Sequence, residues 1–296
     1  MAKEYNRIDF RDQISKNKLK SFFLMIIVFV VLIVFGYVIS RAFEPGFFFI
    51  IMIISVIFSL SYLLLTYYKS DKIAIASVGA KQASRERHKQ YYDLIEGLTL
   101  ASGMPMPKLY VMPSSQINAF ASGRNPENAV VCVTEGALEK LDKKELEGVL
   151  AHELGHVANY DIRYITLVAV MVGMVAIISE TFLRSLWLKG SDRGEGKGNA
   201  IFMIIGIAMA ILAPIVVYLV QMSISRKREY ASDASAVKFT RYPPGLIGAL
   251  KKIKYENEPE KKVPKAVAPL FFANPFKNLG STHPDINKRI EVLERM

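Results

Sequence analysis

Four long apolar runs, separated by strongly charged segments, dominate the pattern of hydrophobic and polar positions along the 296-residue chain. The runs cover residues 21–40, 47–68, 164–186 and 200–222. The first two contain no charged residue, and each is long enough to cross a hydrocarbon core of about 30 Å. The third carries Glu180 and Arg184 near its end, so a buried helix of a large domain remains the alternative for the third and fourth runs. The pattern predicts a multi-pass membrane protein with about four transmembrane helices.

Three polar segments flank these runs and supply the residues for a globular part. They are a leader at 1–20, a segment at 69–163 and a C-terminal segment at 223–296. Short apolar stretches bounded by Pro, Gly and Asn predict strands at 108–112, 116–123 and 129–134, after a long helical stretch at 71–100. The polar segments therefore predict an α+β domain with a small β-sheet, interrupted by the second pair of membrane spans.

Positive charge follows the ends of the apolar runs. The chain carries 38 Lys and Arg against 27 Asp and Glu, a net charge of +11. Basic residues concentrate in the leader, directly after the second run and at 226–228, whereas the loops between paired runs are poor or mixed in charge. Cytoplasmic flanks of membrane spans carry the excess of Lys and Arg, which predicts all three polar segments in the cytoplasm. Such flanks also attract anionic lipids, so the lipid bilayer is an expected partner and nucleic acid is not.

The chain contains a single cysteine, Cys132. One cysteine excludes an internal disulfide and is typical of a reducing compartment. The apolar, strand-like residues around it predict a buried thiol rather than a nucleophile.

The stretch His152-Glu-Leu-Gly-His156 is the strongest chemical motif of the chain. Positions i and i+4 share one face of a helix, so both imidazoles can bind one metal ion. Glu153 can take a proton from a water on that ion as the water attacks a carbonyl. Asp142, with Glu145 three residues later, predicts the start of this helix as a capping box. The motif predicts a catalytic centre with one Zn²⁺ per chain and Glu153 as general base.

Zinc needs a third protein ligand on the same side of the membrane. Glu229 lies in a helical segment directly after the fourth run, and Asp233 lies one turn further along the same face. Asp233 can accept the second ring N–H of a zinc-bound histidine and fix its tautomer. His88 and His283 remain alternative ligands, although the cations around His88 oppose a metal ion. The pattern favours Glu229 as the third ligand beside the two histidines.

Three separated motifs resemble the HtpX family of membrane zinc metalloproteases, relatives of the CAAX prenyl proteases within the M48 group. They are the HELGH motif followed by Val157-Ala158-Asn159-Tyr160-Asp161, the pair of apolar runs after it, and Arg228-Glu229-Tyr230-Ala231-Ser232-Asp233. The resemblance covers nearly the whole chain. It implies a gluzincin-type zinc protease domain in a bacterial inner or plasma membrane, with the active site facing the cytoplasm. It also implies endoproteolysis of damaged or misassembled membrane proteins.

A further stretch, Asn118, Ala119 and Phe120, resembles the edge strand with which this family binds substrate. An edge strand can pair with an extended peptide through backbone hydrogen bonds and without demanding a sequence. An interior strand fits the same residues equally well. If 117–122 is an exposed edge strand, it is expected to hold the substrate.

Two more sites have a functional and a plain structural interpretation. His283 and Arg289 resemble a C-terminal family motif and can stabilise the oxyanion of a tetrahedral intermediate. A helix start with Thr282 as cap explains the same residues. Asp161 can tie the motif helix to the rest of the site, or can simply mark the boundary with the third run. No proline separates the motif from that run, so the motif helix is expected to run into, or closely abut, the span.

Together these observations predict a four-span membrane zinc endopeptidase that acts on proteins or peptides, with membrane proteins as the expected substrates. A CAAX-type prenyl-peptide protease is the alternative within the enzyme class. Four spans are too few to enclose the large intramembrane chamber that it would need. A zinc-binding membrane scaffold without activity is the alternative outside the enzyme class. Glu153 argues against a scaffold, because a structural zinc site has no use for a base.

Overall fold

The computed structural model of the chain describes residues 10–42, 45–169, 226–256, 270–273 and 284–296. Within these ranges the protein is mostly helical, with a small mixed sheet. Most of the third apolar run, the whole fourth run, the loop between them and His283 lie outside the described residues. The described part therefore holds the first pair of predicted spans and most of the predicted globular domain.

Two long apolar helices form a hairpin near the N-terminus. Helix α1 spans Phe10–Ala42 and helix α2 spans Phe48–Ser77. The stretch Ile14–Val34 and the whole of α2 are long and apolar enough to cross a membrane. Large side chains such as Phe49, which is 75% exposed, lie on the outside of the hairpin, as expected of residues that face lipid. Helix α1 begins inside the predicted leader and α2 continues past residue 68, so both helices are longer than the apolar runs.

A four-stranded sheet lies beside one end of this hairpin, the end that the charge pattern predicts to be cytoplasmic. Its strands are β1 Lys81–Gln82, β2 Lys108–Met112, β3 Ala119–Gly123 and β4 Ala129–Thr134. Across the sheet the order is β1-β2-β4-β3, with β2 and β4 parallel and the other pairs antiparallel. Strands β2 and β4 have the predicted bounds. Strand β3 begins later than predicted because the Thr134 hydroxyl, rather than a backbone group, bonds Asn118 N and Gln116 O.

The long helix predicted at 71–100 is wrong, since two helices and a short strand occupy this part of the chain. Helix α2 ends at Ser77, and helix α3 spans Lys89–Ser102. Gly79 adopts a φ of 64°, a left-handed conformation that ends a helix at little cost for glycine. Strand β1 then pairs with β2, a contact between distant residues that helical periodicity does not report.

The rest of the described chain is helical. The helices are α4 Glu135–Lys140, α5 Lys143–Ala158, α6 at 161–169, α7 Arg226–Thr240, α8 Pro243–Glu256 and α9 Ile286–Leu293. Helix α5 is almost entirely buried, and its apolar side chains Leu146, Leu150 and Leu154 belong to the main core. It begins with the predicted capping box: Asp142 accepts from the N–H of Glu145, and the Glu145 carboxylate accepts from the N–H of Asp142.

A turn separates α5 from the start of the third apolar run, so the motif helix does not continue into that run. Helix α5 ends at Ala158, Tyr160 has a φ of 57°, and α6 begins at Asp161. A non-glycine residue in this region costs about 1–2 kcal/mol, which the surrounding contacts must offset. Because of this break, Asp161 lies close to the motif, and its contacts there form part of the site.

Apolar residues on both faces of the sheet attach it to its neighbours. On one face Val131 and Val133 join the core that contains α3 and α5. On the other face Phe120 and Cys132 pack with Ile75 near the end of α2. Cys132 is fully buried, as predicted, and this burial raises the pKa of its thiol. The apolar hairpin is therefore joined directly to the sheet.

Candidate metal centre

Helix α5 places His152, Glu153 and His156 side by side in the protein interior. The ring centroids of the two histidines are 4.8 Å apart, and their Nε2 atoms are 3.1 Å apart. All three side chains are buried. The spacing of one helical turn therefore directs both Nε2 atoms toward a common point.

Helix α7 brings Glu229 to the same point from a distant part of the sequence. One carboxylate oxygen lies 3.5 Å from His156 Nε2, and the other lies 3.7 Å from His152 Nε2. Gly155 allows this approach, because a Cβ atom there would lie only 3.1 Å from the backbone of Ser232 on α7. The glycine inside the HELGH motif thus sets the distance between the histidine pair and the acid.

The three ligand atoms fit a single divalent cation. One donor atom from each of His152, His156 and Glu229 lies within 4.8 Å of the others. Tetrahedral zinc, with ligands at about 2.0–2.1 Å, needs donor atoms separated by about 3.3 Å. The two Nε2 atoms are 3.1 Å apart, and they lie 3.5 and 3.7 Å from different oxygens of Glu229. Two imidazoles and one carboxylate also match the donor set of catalytic zinc sites, which leave a further position to water.

Asp233 and Arg289 orient His152 from the side opposite the ligand cluster. Asp233 Oδ1 lies 2.8 Å from His152 Nδ1. Arg289 donates from Nε and Nη2 to the two Asp233 oxygens, at 3.0 and 2.7 Å. Burial opposes charge on Asp233, but Arg289 and His152 hold the pKa of its carboxyl well below the usual range. The carboxylate can only accept, so it keeps the ring proton of His152 on Nδ1 and leaves Nε2 to a metal ion.

Ser232 and Asp161 contact the corresponding nitrogen of His156. The Ser232 hydroxyl lies 2.9 Å from His156 Nδ1, and Asp161 Oδ2 lies 3.2 Å from the same atom. The turn between α5 and α6 makes the second contact possible, because a continuous helix would carry Asp161 away. Sequence reasoning missed Ser232, although its position three residues after Glu229, on the same helical face, was a usable signal.

The two histidines have pKa values shifted in opposite directions. Burial lowers the pKa of His152 to about 4, so that its ring is neutral at pH 7. Burial also disfavours the charged form of His156. The hydrogen bond with Asp161 and the charge of Glu229 outweigh that effect and raise the pKa of His156 to about 9. A metal ion that binds His156 at neutral pH must therefore displace a proton.

Glu153 lies in a narrow cavity next to the candidate ligands. The cavity is also lined by His156, Glu229, Ala121 and Phe272. Burial raises the pKa of Glu153 to about 7, although the charge on His156 opposes the shift. Its Oε1 atom is buried and has no hydrogen-bond partner among the described residues. A carboxyl group that is half-protonated near neutral pH can take up and return a proton.

Arg289, one of the residues expected to stabilise an oxyanion, pairs with buried acids, and His88, an alternative ligand, lies away from the ligand cluster. His283 lies outside the described residues. Arg289 is buried, and besides its bonds to Asp233 its Nη1 lies 3.7 Å from Glu229 Oε2. Its guanidinium therefore balances two buried carboxylates. His88 precedes α3 and contacts Ser84 rather than the ligand cluster.

Strand β3 is at the edge of the sheet among the described residues, but it is buried rather than exposed as expected. A segment of the same chain, Leu270–Ala273, covers its outer side. The N–H of Phe272 donates to the carbonyl of Ala119 at 2.8 Å, and Phe271 forms an antiparallel bridge with Phe120. This pairing could not be predicted, since nothing in the segment marks it as a partner of a strand about 150 residues earlier.

The Asn118 side chain holds the same segment by its backbone. Its Nδ2 donates to the carbonyl of Ala273 at 2.9 Å, and its Oδ1 accepts from the Ala273 N–H at 3.0 Å. Phe272 also packs edge-on against His152, with ring centroids 4.8 Å apart. The three residues predicted to bind substrate are thus in contact with another segment of the protein itself.

Comparison with known proteins gives consistent results. Residues 82–296 match the family described as Peptidase family M48. The proteins named Protease HtpX homolog from Dictyoglomus thermophilum and Thermoanaerobacter pseudethanolicus are 40% and 38% identical to the chain. The alignments cover 97% and 95% of the chain, and 95% and 96% of those proteins. The crystal structure of S. mikatae Ste24p superimposes with a TM-score of 0.49 at 18% identity, covering 96% of this chain and 67% of that one.

Proposed function

The chain belongs to peptidase family M48 and is a membrane protease, and from that premise we propose a zinc-dependent endopeptidase with four membrane spans. One observation carries the proposal: three buried donor atoms at zinc-ligand spacing lie directly beside a carboxyl group of near-neutral pKa. His152, His156 and Glu229 would hold the ion. A structural zinc site has no need of a buried carboxyl group with an oxygen that lacks a hydrogen-bond partner among the described residues, whereas peptide hydrolysis requires a base.

Glu153 performs the proton transfers in the proposed reaction. When bound, zinc acts as a Lewis acid that makes water a stronger nucleophile and polarises the peptide carbonyl. Glu153 accepts a proton from the attacking water and returns it to the amine that leaves. Its pKa, about 7 in the metal-free protein, suits both steps. The cavity around it is also lined by the apolar side chains of Ile162 and Ile165, which limit the access of bulk water.

Residues around the ligands keep them in place during the reaction. Asp233 holds His152, and Arg289 holds Asp233, so that the ring nitrogen facing the ion stays unprotonated. Oxyanion stabilisation by His283 and Arg289 stays a prediction. In the described arrangement, the guanidinium of Arg289 pairs with Asp233 and Glu229.

Substrate is proposed to pair with the outer side of β3. The contacts of residues 270–273 support this, because Ala119 and Asn118 bind this segment through its backbone groups and not through its side chains. The substrate and this segment cannot pair with the outer side of β3 at the same time. A substrate that uses this edge must displace Phe271 and Phe272.

We further propose that cleavage occurs on the cytoplasmic side of a bacterial cell membrane and serves the quality control of damaged membrane proteins. Support comes from the basic residues that flank the apolar runs and from the resemblance to the HtpX family. Because the hairpin packs directly against the sheet, the site should also lie close to the membrane surface, where such substrates emerge.

Hydrolysis of casein by the purified full-length protein in detergent with zinc tests the activity. The Glu153→Gln variant should bind zinc at wild-type stoichiometry and lose activity by roughly 100-fold or more, since the base is gone and the ligands remain. Glu147→Gln is the matched control, because Glu147 lies on the same helix but only pairs with Lys144 near the surface. Near wild-type activity in a zinc-loaded Glu153→Gln protein would contradict the proposed mechanism, and an inactive zinc-bound wild type would favour the scaffold alternative.

A further inference from the structure

Asn17, in the first membrane helix, contacts the environment of the metal site although it precedes the HELGH motif by more than 130 residues. Its Nδ2 donates to Asp161 Oδ1 at 2.6 Å and to the carbonyl of Asn159 at 3.2 Å. The side chain is only 3% exposed. Both partners can only accept, so the NH₂ group of Asn17 must face them, and both of its hydrogens are used.

The two oxygens of Asp161 point in different directions. One accepts from Asn17, and the other lies 3.2 Å from His156 Nδ1. Asp161 is fully buried, so its carboxylate depends on these contacts for its orientation. We propose that Asn17 is a positioning residue of the metal centre: it holds Asp161 so that Asp161 can orient the metal ligand His156.

Neighbouring contacts fix the geometry of this connection. Lys18, the next residue of α1, lies with Nζ 4.6 Å from the ring centroid of Tyr160, the residue with positive φ in the α5–α6 turn. Further along the helix, Leu24 and Val28 pack in one cluster with Leu167 of α6. Helix α1 thus holds the turn whose bend returns Asp161 to the site.

The arrangement joins the docking of a membrane helix to the affinity for metal. If α1 shifts, Asp161 loses one partner, and His156 loses part of the support that keeps its metal-binding nitrogen directed at the ion. A polar side chain as buried as that of Asn17 is costly unless it is hydrogen-bonded, which agrees with a specific task for Asn17. The inference rests on the metal site of the proposed function, but not on proteolysis.

Zinc affinity of the full-length protein, measured in detergent by competition with a chelator, tests this role. Asn17→Ala should weaken zinc binding by roughly tenfold, the lower end of what the loss of an outer hydrogen-bond partner costs a metal site. Ser21→Ala is the matched control. Ser21 is equally buried on the same helix and donates only to the Asn17 backbone carbonyl, so its removal should leave zinc affinity unchanged.

Two double variants separate positioning from simple loss of packing. In an Asp161→Ala background, Asn17→Ala should have no further effect on zinc affinity, since the residue it acts through is gone. Asn17→Asp places two carboxylates together, and Asp161→Asn places two amides together. The combination Asn17→Asp with Asp161→Asn restores one donor opposite one acceptor between these two residues. It leaves the carbonyl of Asn159 facing a carboxylate, so it should recover only part of the affinity that either single variant loses.

The outcomes are distinguishable. Unchanged zinc affinity in Asn17→Ala, equal losses in the wild-type and Asp161→Ala backgrounds, or no recovery in the exchanged pair would each overturn the role of Asn17. Thermal melting of the metal-free proteins shows whether a variant has failed to fold, and the exchanged pair then decides. If the wild-type protein itself binds no zinc, the proposed function fails instead.

Discussion

The backbone N–H of Phe272 donates to the carbonyl of Ala119 at 2.8 Å, and this bond uses the outward-facing carbonyl of strand β3. The same strand is the one expected to bind substrate. An exposed edge strand is a ready template for another chain, and here a segment of the protein itself occupies it. Catalysis by the proposed route therefore requires Leu270–Ala273 to leave β3.

Cross-linking the covering segment to β3 should abolish proteolysis. Phe120 and Phe271 form an antiparallel pair, whose Cα atoms lie about 4.5–5.5 Å apart, within the range that a disulfide spans. The variant is Phe120→Cys with Phe271→Cys, in a Cys132→Ala background because Cys132 pairs with residue 120 on the neighbouring strand. Oxidation should reduce casein cleavage to the level of Glu153→Gln, and reductant should restore it.

The oxidised Phe271→Cys, Cys132→Ala protein controls for the oxidant. Full activity in a protein that mass spectrometry shows to be cross-linked would mean that substrate binds elsewhere. If the reduced variant is already inactive, thiol labelling decides the question. Labelling of Phe271→Cys should accelerate when a peptide hydroxamate binds, and an unchanged rate would refute the displacement.

Glu229→Gln should lose zinc. The amide is a weaker, neutral ligand, so affinity should fall by more than the roughly 10–100-fold that loss of an outer partner costs. Chelator competition measures the change. Glu145→Gln is the control, since Glu145 is also a buried acid but bonds Lys252 and the start of α5. Wild-type zinc affinity in Glu229→Gln would require another third ligand, with His283 the next candidate.

Zinc affinity should rise with pH between about 7 and 9. His156 has a pKa of about 9 in the metal-free protein, so it is protonated below that pH, and zinc must displace the proton. One displaced proton means that affinity increases about tenfold per pH unit and levels off above pH 9. Competition titrations at several pH values, corrected for protonation of the chelator, measure this slope. Asp161→Asn should flatten it, and a flat wild-type profile would contradict the charged state of His156.

Arg289→Ala should destabilise the protein strongly. Removal of this cation leaves Asp233 and Glu229 as buried acids with less compensation, which costs roughly 3–5 kcal/mol in comparable buried pairs. Arg289→Lys keeps the charge but cannot bond both Asp233 oxygens in the same way. It should therefore recover only part of the stability that Arg289→Ala loses. Thermal melting of the metal-free proteins measures the effect. Arg295→Ala, which removes an exposed pair with Glu291, is the control, and equal melting of the two alanine variants would refute the prediction.

The membrane orientation can be tested independently of activity. The charge pattern places the loop between the third and fourth runs outside the cell. Ser191→Cys in a Cys132→Ser background should therefore react with membrane-impermeant thiol reagents in intact cells. Labelling only after the membrane is broken would place that loop inside the cell. It would also imply that the zinc motif lies outside, contrary to the proposal.

Local patterns in the sequence were sufficient for much of the site. The capping box at Asp142, the shared face of His152 and His156, and the shared face of Glu229 and Asp233 all follow from helical periodicity within a few residues. Strands β2 and β4 were equally visible, because their short apolar stretches are bounded by turn-forming residues. Such features depend on neighbours in the chain, and a sequence displays its neighbours directly.

Only the tertiary structure decided how these pieces meet. The sequence does not show that Gly155 lets α7 approach, that Asn17 reaches Asp161, or that Phe272 covers Ala119. Each contact joins residues that are far apart in the chain, and its energy depends on shape and burial that exist only after folding. Periodicity predicts which face a residue occupies; packing determines what lies opposite that face.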